Sequence, residues 1–296
     1  MMDGFLVVDK SPGMSSYDVI KRLKKIDTFK KIGYIGTLDR NATGVLPVAL
    51  NEGVKLIPFL ENGRKKYLAR FVLGITTDTF DMDGVRLTET EVPPLDRETV
   101  VATLARFKGK IVQKIPLHSS KKMDGKPLYK WVREGITPDT PNKDVEVYDI
   151  DFIDYAHPYI DVEIECSKGT YIRVIAQDFG ALLGCGAALF SLKRTQHGEF
   201  GLARSVTIDA LASKEDIAKH LVGLEEILPA TRGLTIDPIF EKFVRNGMPV
   251  PLMGGARDWT QGELAKLFNR NGALLGIGRV DTDSKTIRLK RLINNS

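Results

Sequence analysis

The chain has 296 residues, 43% of them hydrophobic and 27% charged, with a formal net charge of +5. This balance suits a globular cytoplasmic protein of about two domains and leaves no run of about 20 apolar residues for a membrane span. Two cysteines, Cys166 and Cys185, give no disulfide framework, and four scattered histidines give no metal-ligand spacing, so no metal is expected.

Taken in order, the first element is an apolar strand over Phe5–Asp9. An amphipathic helix over Ser16–Lys25 follows, with Val19, Ile20 and Leu23 on one face. A glycine-punctuated stretch, Gly33 to Gly44, carries a single carboxylate, Asp39, and leads into the apolar run Val45–Leu50. Taken alone, an Asp among glycines is most simply a turn residue bonding its own backbone. The alternative is a carboxylate presented to a ligand, with the flanking glycines allowing close approach.

A strand over Tyr67–Ile75 begins with an aromatic beside Lys65 and Lys66, a pattern that suits stacking on a base as well as core burial. Residues 76 to 96 read as a loop; their Asp-rich run lacks the ligand spacing of a calcium site. A helix over Asp96–Phe107 is expected to bury Val100, Val101, Leu104 and Phe107. Residues 135 to 144 read as a second loop, followed by strands over Val145–Ile153 and Tyr159–Cys166.

The run Cys166 to Arg173 takes a strand through a glycine turn into a helix over Tyr171–Leu183, whose apolar positions are Ile172, Ile175, Phe179 and Leu182. Lys168 beside that helix start suits an anion. Arg173 in the first turn opposes the helix dipole, a placement that a fixed acidic partner would explain. A strand over Ala187–Leu192 comes next, and Leu228–Gly233 reads as a domain boundary. Beyond it lie glycine-rich strands over Ala273–Val280 and Thr286–Leu292. This tail holds ten basic side chains, Arg257 among them, against six acidic ones, so it carries most of the net excess. Strands and helices mix without a βαβ rhythm, which predicts an α+β fold on a largely antiparallel sheet.

Several motifs in register resemble those of the TruB family of tRNA pseudouridine synthases, which act on uridine 55 in the T-loop. They are Gly33-Tyr34-Ile35-Gly36-Thr37-Leu38-Asp39-Arg40-Asn41-Ala42-Thr43-Gly44-Val45-Leu46-Pro47, Tyr67 with the loop Thr77 to Gly84, and Cys166-Ser167-Lys168-Gly169-Thr170-Tyr171-Ile172-Arg173. Asp9-Lys10 with Gly13, the segment 113–135 and Leu192-Lys193-Arg194-Thr195 extend the match over nearly the whole chain.

The resemblance implies a pseudouridine synthase fold over residues 1–232 and a small β-rich, PUA-like RNA-binding domain over 233–296. It implies Asp39 as the essential carboxylate, Tyr67 stacking on the target uracil with a possible part in proton transfer, and Arg173 paired with Asp39. Lys10, Tyr34, Arg40, Lys168, Tyr171 and Leu192 fall in substrate-binding segments. The isomerisation needs no cofactor. The expected partner is the tRNA T-arm, with no membrane, no obligatory protein partner and a monomeric chain. Tyr34 and Arg40 stand where the family usually has His and Pro, which implies altered handling of the RNA. Three other readings stay open at this point: a non-catalytic tRNA-binding or folding protein, a guide-RNA-dependent synthase of the same fold, and a glycosidase, which would need a second carboxylate.

Overall fold

The computed structural model describes residues 2–252 and 258–294. Arg257 and its basic charge lie outside the described residues. The main body is built on a ten-stranded sheet. Its central path runs Val206–Thr207, Gly4–Lys10, Thr43–Leu50, Ala187–His197, Lys65–Leu73, Tyr159–Cys166, Asn142–Ala156 and Gly109–Lys114. Ile32–Tyr34 and Phe200–Gly201 attach to the strands beginning at Thr43 and Ala187. Neighbours are antiparallel except at two places, where Gly4–Lys10 meets Val206–Thr207 and where Thr43–Leu50 meets Ala187–His197. The fold is therefore α+β on a mostly antiparallel but mixed sheet.

The first helix, Ser16–Ile26, starts where Ser15 and Asp18 form a reciprocal capping box. It buries Val19, Ile20 and Leu23 against the sheet. The helix Ile172–Leu183 buries Ile172, Ile175 and Phe179, with Phe179 tilted against Phe71 at 5.9 Å between ring centroids. Leu182 is exposed, contrary to expectation, because that helix is covered on one side only. Val101 is exposed for the same reason on the short helix Arg97–Ala105, which buries Val100 and Leu104 beneath its Asp96 cap.

The stretch expected as one loop from residue 76 holds a hairpin, Ile75–Thr77 with Arg86–Glu89, and the second expected loop gives way to a strand at Asn142. The strand beginning at Ala187 runs on to His197. From Gly233 a separate five-stranded sheet forms in the order Gly233–Thr235, Leu264–Phe268, Leu274–Asp281, Thr286–Leu292 and Val250–Pro251. It has its own core around Ile236, Val244, Ala265 and Ile287. Leu274, Ile277 and Ile293 join a second cluster with Phe5, Val7 and Leu56, so the small sheet packs on the body through apolar side chains.

Candidate active site

The middle of the large sheet places the site. Arg194 stands opposite Gly44 in the parallel pair and opposite Tyr67 in the antiparallel one. Three strands thus converge on one buried guanidinium. Arg194 is fully buried. Its Nε donates to the Val45 carbonyl at 2.7 Å and its Nη2 to the Gly36 carbonyl at 2.9 Å. These bonds hold both ends of the turn that carries Asp39.

The two glycines nearest Asp39 on either side make that packing possible. Gly44 has φ 94°, and a Cβ there would lie 2.2 Å from the Arg194 carbonyl oxygen. Gly36 has φ 69°, and a Cβ would meet the His197 ring at 2.8 Å. The close approach they permit is thus to the protein's own buried residues, the Arg194 main chain and the His197 ring.

Lys10 supports the same turn from below. It is fully buried, and its ammonium donates to the carbonyls of Ser11, Met14 and Arg40 at 3.1, 2.7 and 2.9 Å. Burial lowers its pKa to about 8, against the opposing pull of Asp39. Ser16 adds a third tie, accepting from the Leu38 amide at 2.9 Å and donating to the Leu38 carbonyl at 3.2 Å. Within the turn the Ala42 amide donates to the Asp39 main-chain carbonyl at 3.2 Å. Among the described residues the Asp39 carboxylate accepts no hydrogen bond from its own turn, so it does not act as the turn's cap. Its side chain is 53% exposed.

Asp39 opens onto a cavity of about 390 Å³. Tyr34, Tyr67, Lys168, Tyr171, Arg173 and Leu192 line it, so six of the residues expected at the substrate surround the one expected to react. Two do not. Lys10 lies beneath the turn, where its three bonds to carbonyls use it as a strut. Arg40 points away with a 61% exposed side chain, 3.8 Å from Asp18.

Tyr67 is buried in the cavity wall. Burial pushes its hydroxyl up to about 12, although the Arg194 charge opposes the shift. At neutral pH it is a phenol, which favours a stacking role over proton abstraction.

Arg173 is buried at the start of its helix. Its Nη1 lies 3.3 Å from Asp81 Oδ2 and 4.0 Å from Asp39 Oδ2, and its Nη2 donates to the His118 carbonyl at 2.7 Å. The acidic partner anticipated for this arginine is therefore first Asp81 and only then Asp39. Asp81 comes from the Asp-rich loop, where Thr79 donates to Asp81 Oδ1 at 2.6 Å and the Asp83 amide does so at 3.1 Å, while Asn41 of the Asp39 turn bonds Asp83. The positions of Asp81 and Arg194 within the matching motifs were the signals available for them in the sequence.

Tyr171 is set by Gln113, which accepts from the Tyr171 amide at 3.0 Å and donates to its carbonyl at 3.1 Å. Lys168 pairs with Glu61 at 3.0 Å, and both line the cavity. His197, in the layer below, is buried with neither ring nitrogen bonded. Burial and the charges of Arg194 and Lys65 drive its pKa down to about 2, so it is neutral. Among the described residues no group of three or more His, Cys, Asp or Glu could hold a metal ion, and no helix is long and apolar enough to cross a membrane.

Comparisons with known proteins bear on this arrangement. The family model described as TruB family pseudouridylate synthase, N-terminal domain, matches residues 24–172, and that described as tRNA pseudouridylate synthase B C-terminal domain matches 173–230. The chain is 36% identical to the tRNA pseudouridine synthase B of Geobacter sulfurreducens over 308 residues, covering 99% of this chain and 100% of that one. It is 36% identical to the protein of the same name from Syntrophus aciditrophicus over 286 residues, covering 94% and 91%. Among solved structures it resembles a chain of an H/ACA RNP bound to a substrate RNA containing 2′-deoxyuridine. The TM-score is 0.75 at 20% identity, over 99% of this chain and 86% of that one, a likeness of fold.

Proposed function

Because the chain belongs to the TruB family and is a tRNA pseudouridine synthase, an isomerase, we propose that its target is uridine 55 in the T-loop and that Asp39 is the reacting carboxylate. The observation that carries this reading is the half-exposed Asp39 side chain, unbonded to its own turn, at a cavity lined by Tyr67, Tyr171 and Arg173. The target nucleotide leaves its stack and enters the cavity, a step that costs a few kcal/mol. Tyr67 offers its ring to the uracil, and Leu192 adds an apolar contact to the cavity lining.

In the reaction the C1′–N1 bond breaks, the detached uracil turns, and C1′ joins C5. The proton on C5 leaves and N1 gains one, so atoms balance with no cofactor. Asp39 serves either by adding to a sugar or base carbon or by taking the 2′ proton. Both routes need a carboxylate that spends none of its lone pairs on its own loop. Arg173 bridges Asp39 and Asp81, which places one cation between two anions and holds Asp39 facing the cavity. We also place the boundary at residues 232 and 233, with the basic five-stranded unit beyond it as a PUA-like grip on the RNA.

The test is turnover of a T-arm stem-loop RNA by the wild-type protein and by Asp39→Asn, read by nucleoside chromatography. Asp39→Asn is expected to lose at least about a thousandfold in rate. Near wild-type turnover would remove Asp39 from the chemistry.

A further inference from the structure

Lys65 is the buried cation in this site that the chemistry above leaves unused. It starts the strand Lys65–Leu73 two residues before Tyr67, so the two side chains leave the same face of the sheet. It lines the cavity and is only 7% exposed. Among the described residues its ammonium has no hydrogen bond and no ion pair. Its neighbours are all engaged. Lys66 pairs with Glu165 at 3.5 Å, Lys168 with Glu61, and Lys143 donates to the Lys168 carbonyl at 3.2 Å. Lys10 donates to three carbonyls, and Arg194 Nε and Nη2 donate to the two named above.

The charges around Lys65 offer it no counter-ion. Arg194, Lys143 and Lys168 are positive, and Glu61 is committed to Lys168. His197 and Cys166 stand opposite Lys65 on the two flanking strands. His197 is neutral, and burial pushes the Cys166 thiol up to about 11, so neither supplies an anion. A buried amine left among cations is costly unless a ligand compensates it. A neutral base carbonyl would satisfy a donor and leave the charge unanswered. A phosphodiester oxygen answers both.

We propose that Lys65 is a substrate-binding residue whose ammonium contacts a backbone phosphate of the RNA segment drawn into the cavity. This rests on the reading that the cavity takes an extruded tRNA nucleotide. Burial lowers the Lys65 pKa to about 8 in the free protein. Its contribution to affinity therefore fades as pH rises through that value.

The experiment measures binding of a T-arm stem-loop at several salt concentrations, in an Asp39→Asn background that leaves the RNA unconverted. Lys65→Met is compared with its parent, using unmodified RNA and RNAs with one methylphosphonate at each phosphate flanking the target uridine. Lys65→Met is expected to bind about tenfold more weakly, the loss of one charge-assisted contact. Its salt slope should be shallower by about 0.7. One methylphosphonate should weaken the parent to a similar degree and add nothing to Lys65→Met. The parent should also lose affinity as pH rises through 8 by more than Lys65→Met does.

Thermal unfolding checks that Lys65→Met folds, and it should be at least as stable as its parent, since it removes an unpaired buried charge. Lys65→Gln, which keeps a donor without the charge, serves as a second variant and should bind close to Lys65→Met. Binding by both variants within about twofold of the parent would overturn the proposal. So would full additivity with a methylphosphonate at every position, which would place the contact on a base carbonyl instead. Failure of the wild-type protein to make pseudouridine in the same RNA would instead overturn the reading of the cavity.

Discussion

The two sides of the Asp39 turn are built on opposite terms. Beneath it, Lys10 and Arg194 are fully buried and donate to main-chain carbonyls on either side of the turn. Above it, Asp39 is half exposed and Arg173 reaches it only at 4.0 Å, being closer to Asp81. Rigidity is supplied from the side away from the cavity. The Asp39 carboxylate is then left with its lone pairs available. Buried cations are costly, and this chain accepts the cost where the result is a fixed loop.

That contrast can be broken from either side. Arg194→Met leaves two buried carbonyls without donors and is expected to destabilise the fold by about 2–4 kcal/mol in urea unfolding. A loss below about 1 kcal/mol would show that water replaces the guanidinium. Asp81→Asn keeps the loop's shape and removes one anion from Arg173. Turnover should fall about ten- to a hundredfold through misplacement of Asp39 while RNA affinity holds. A loss confined to affinity would move Asp81 from positioning to binding.

The lower layer also has a pH signature. His197 has an ordinary pKa of 6.5 when unfolded and about 2 in the fold. Between those values the unfolded chain binds more protons, so stability falls as pH drops below 6.5. His197→Gln should show a flatter decline in denaturant titrations stepped through that range. An unchanged slope would mean that the ring is not held neutral. The smallest effect is expected on the upper rim. Tyr34→His should change kcat/KM for a T-arm stem-loop by less than about tenfold, because both rings can stack. Complete loss would make Tyr34 part of the chemistry.

The upper side of the turn was largely legible in the sequence. Asp39, Tyr67 and Arg173 lie in separate motifs, and the cavity brings them together with Tyr34, Lys168, Tyr171 and Leu192. The capped helix at Ser16 and the small sheet beyond Gly233 followed from local signals: a Ser before an amphipathic run and short glycine-flanked strands.

The buried cations and the long-range partners were not legible. A charged residue in a strand ordinarily faces water, so nothing local marks Arg194 or Lys65 as buried. Lys10 was expected in the pocket and lies under it, because its reach to the Arg40 carbonyl spans 30 residues of chain. Asp81 sat in a loop that reads as turn chemistry, and its pairing with Arg173 is set by contacts 92 residues apart. Such partnerships come from the sheet order, which local patterning does not specify.

As proposed above, this turn presents Asp39 to one uridine of tRNA. The most direct measurement is position-resolved mapping of pseudouridine in unmodified tRNA treated with the purified wild-type protein and, separately, with Asp39→Asn. The account predicts pseudouridine at position 55 with the wild-type protein and none above background with Asp39→Asn. Conversion at other uridines with position 55 untouched, or equal conversion by the two proteins, would contradict it.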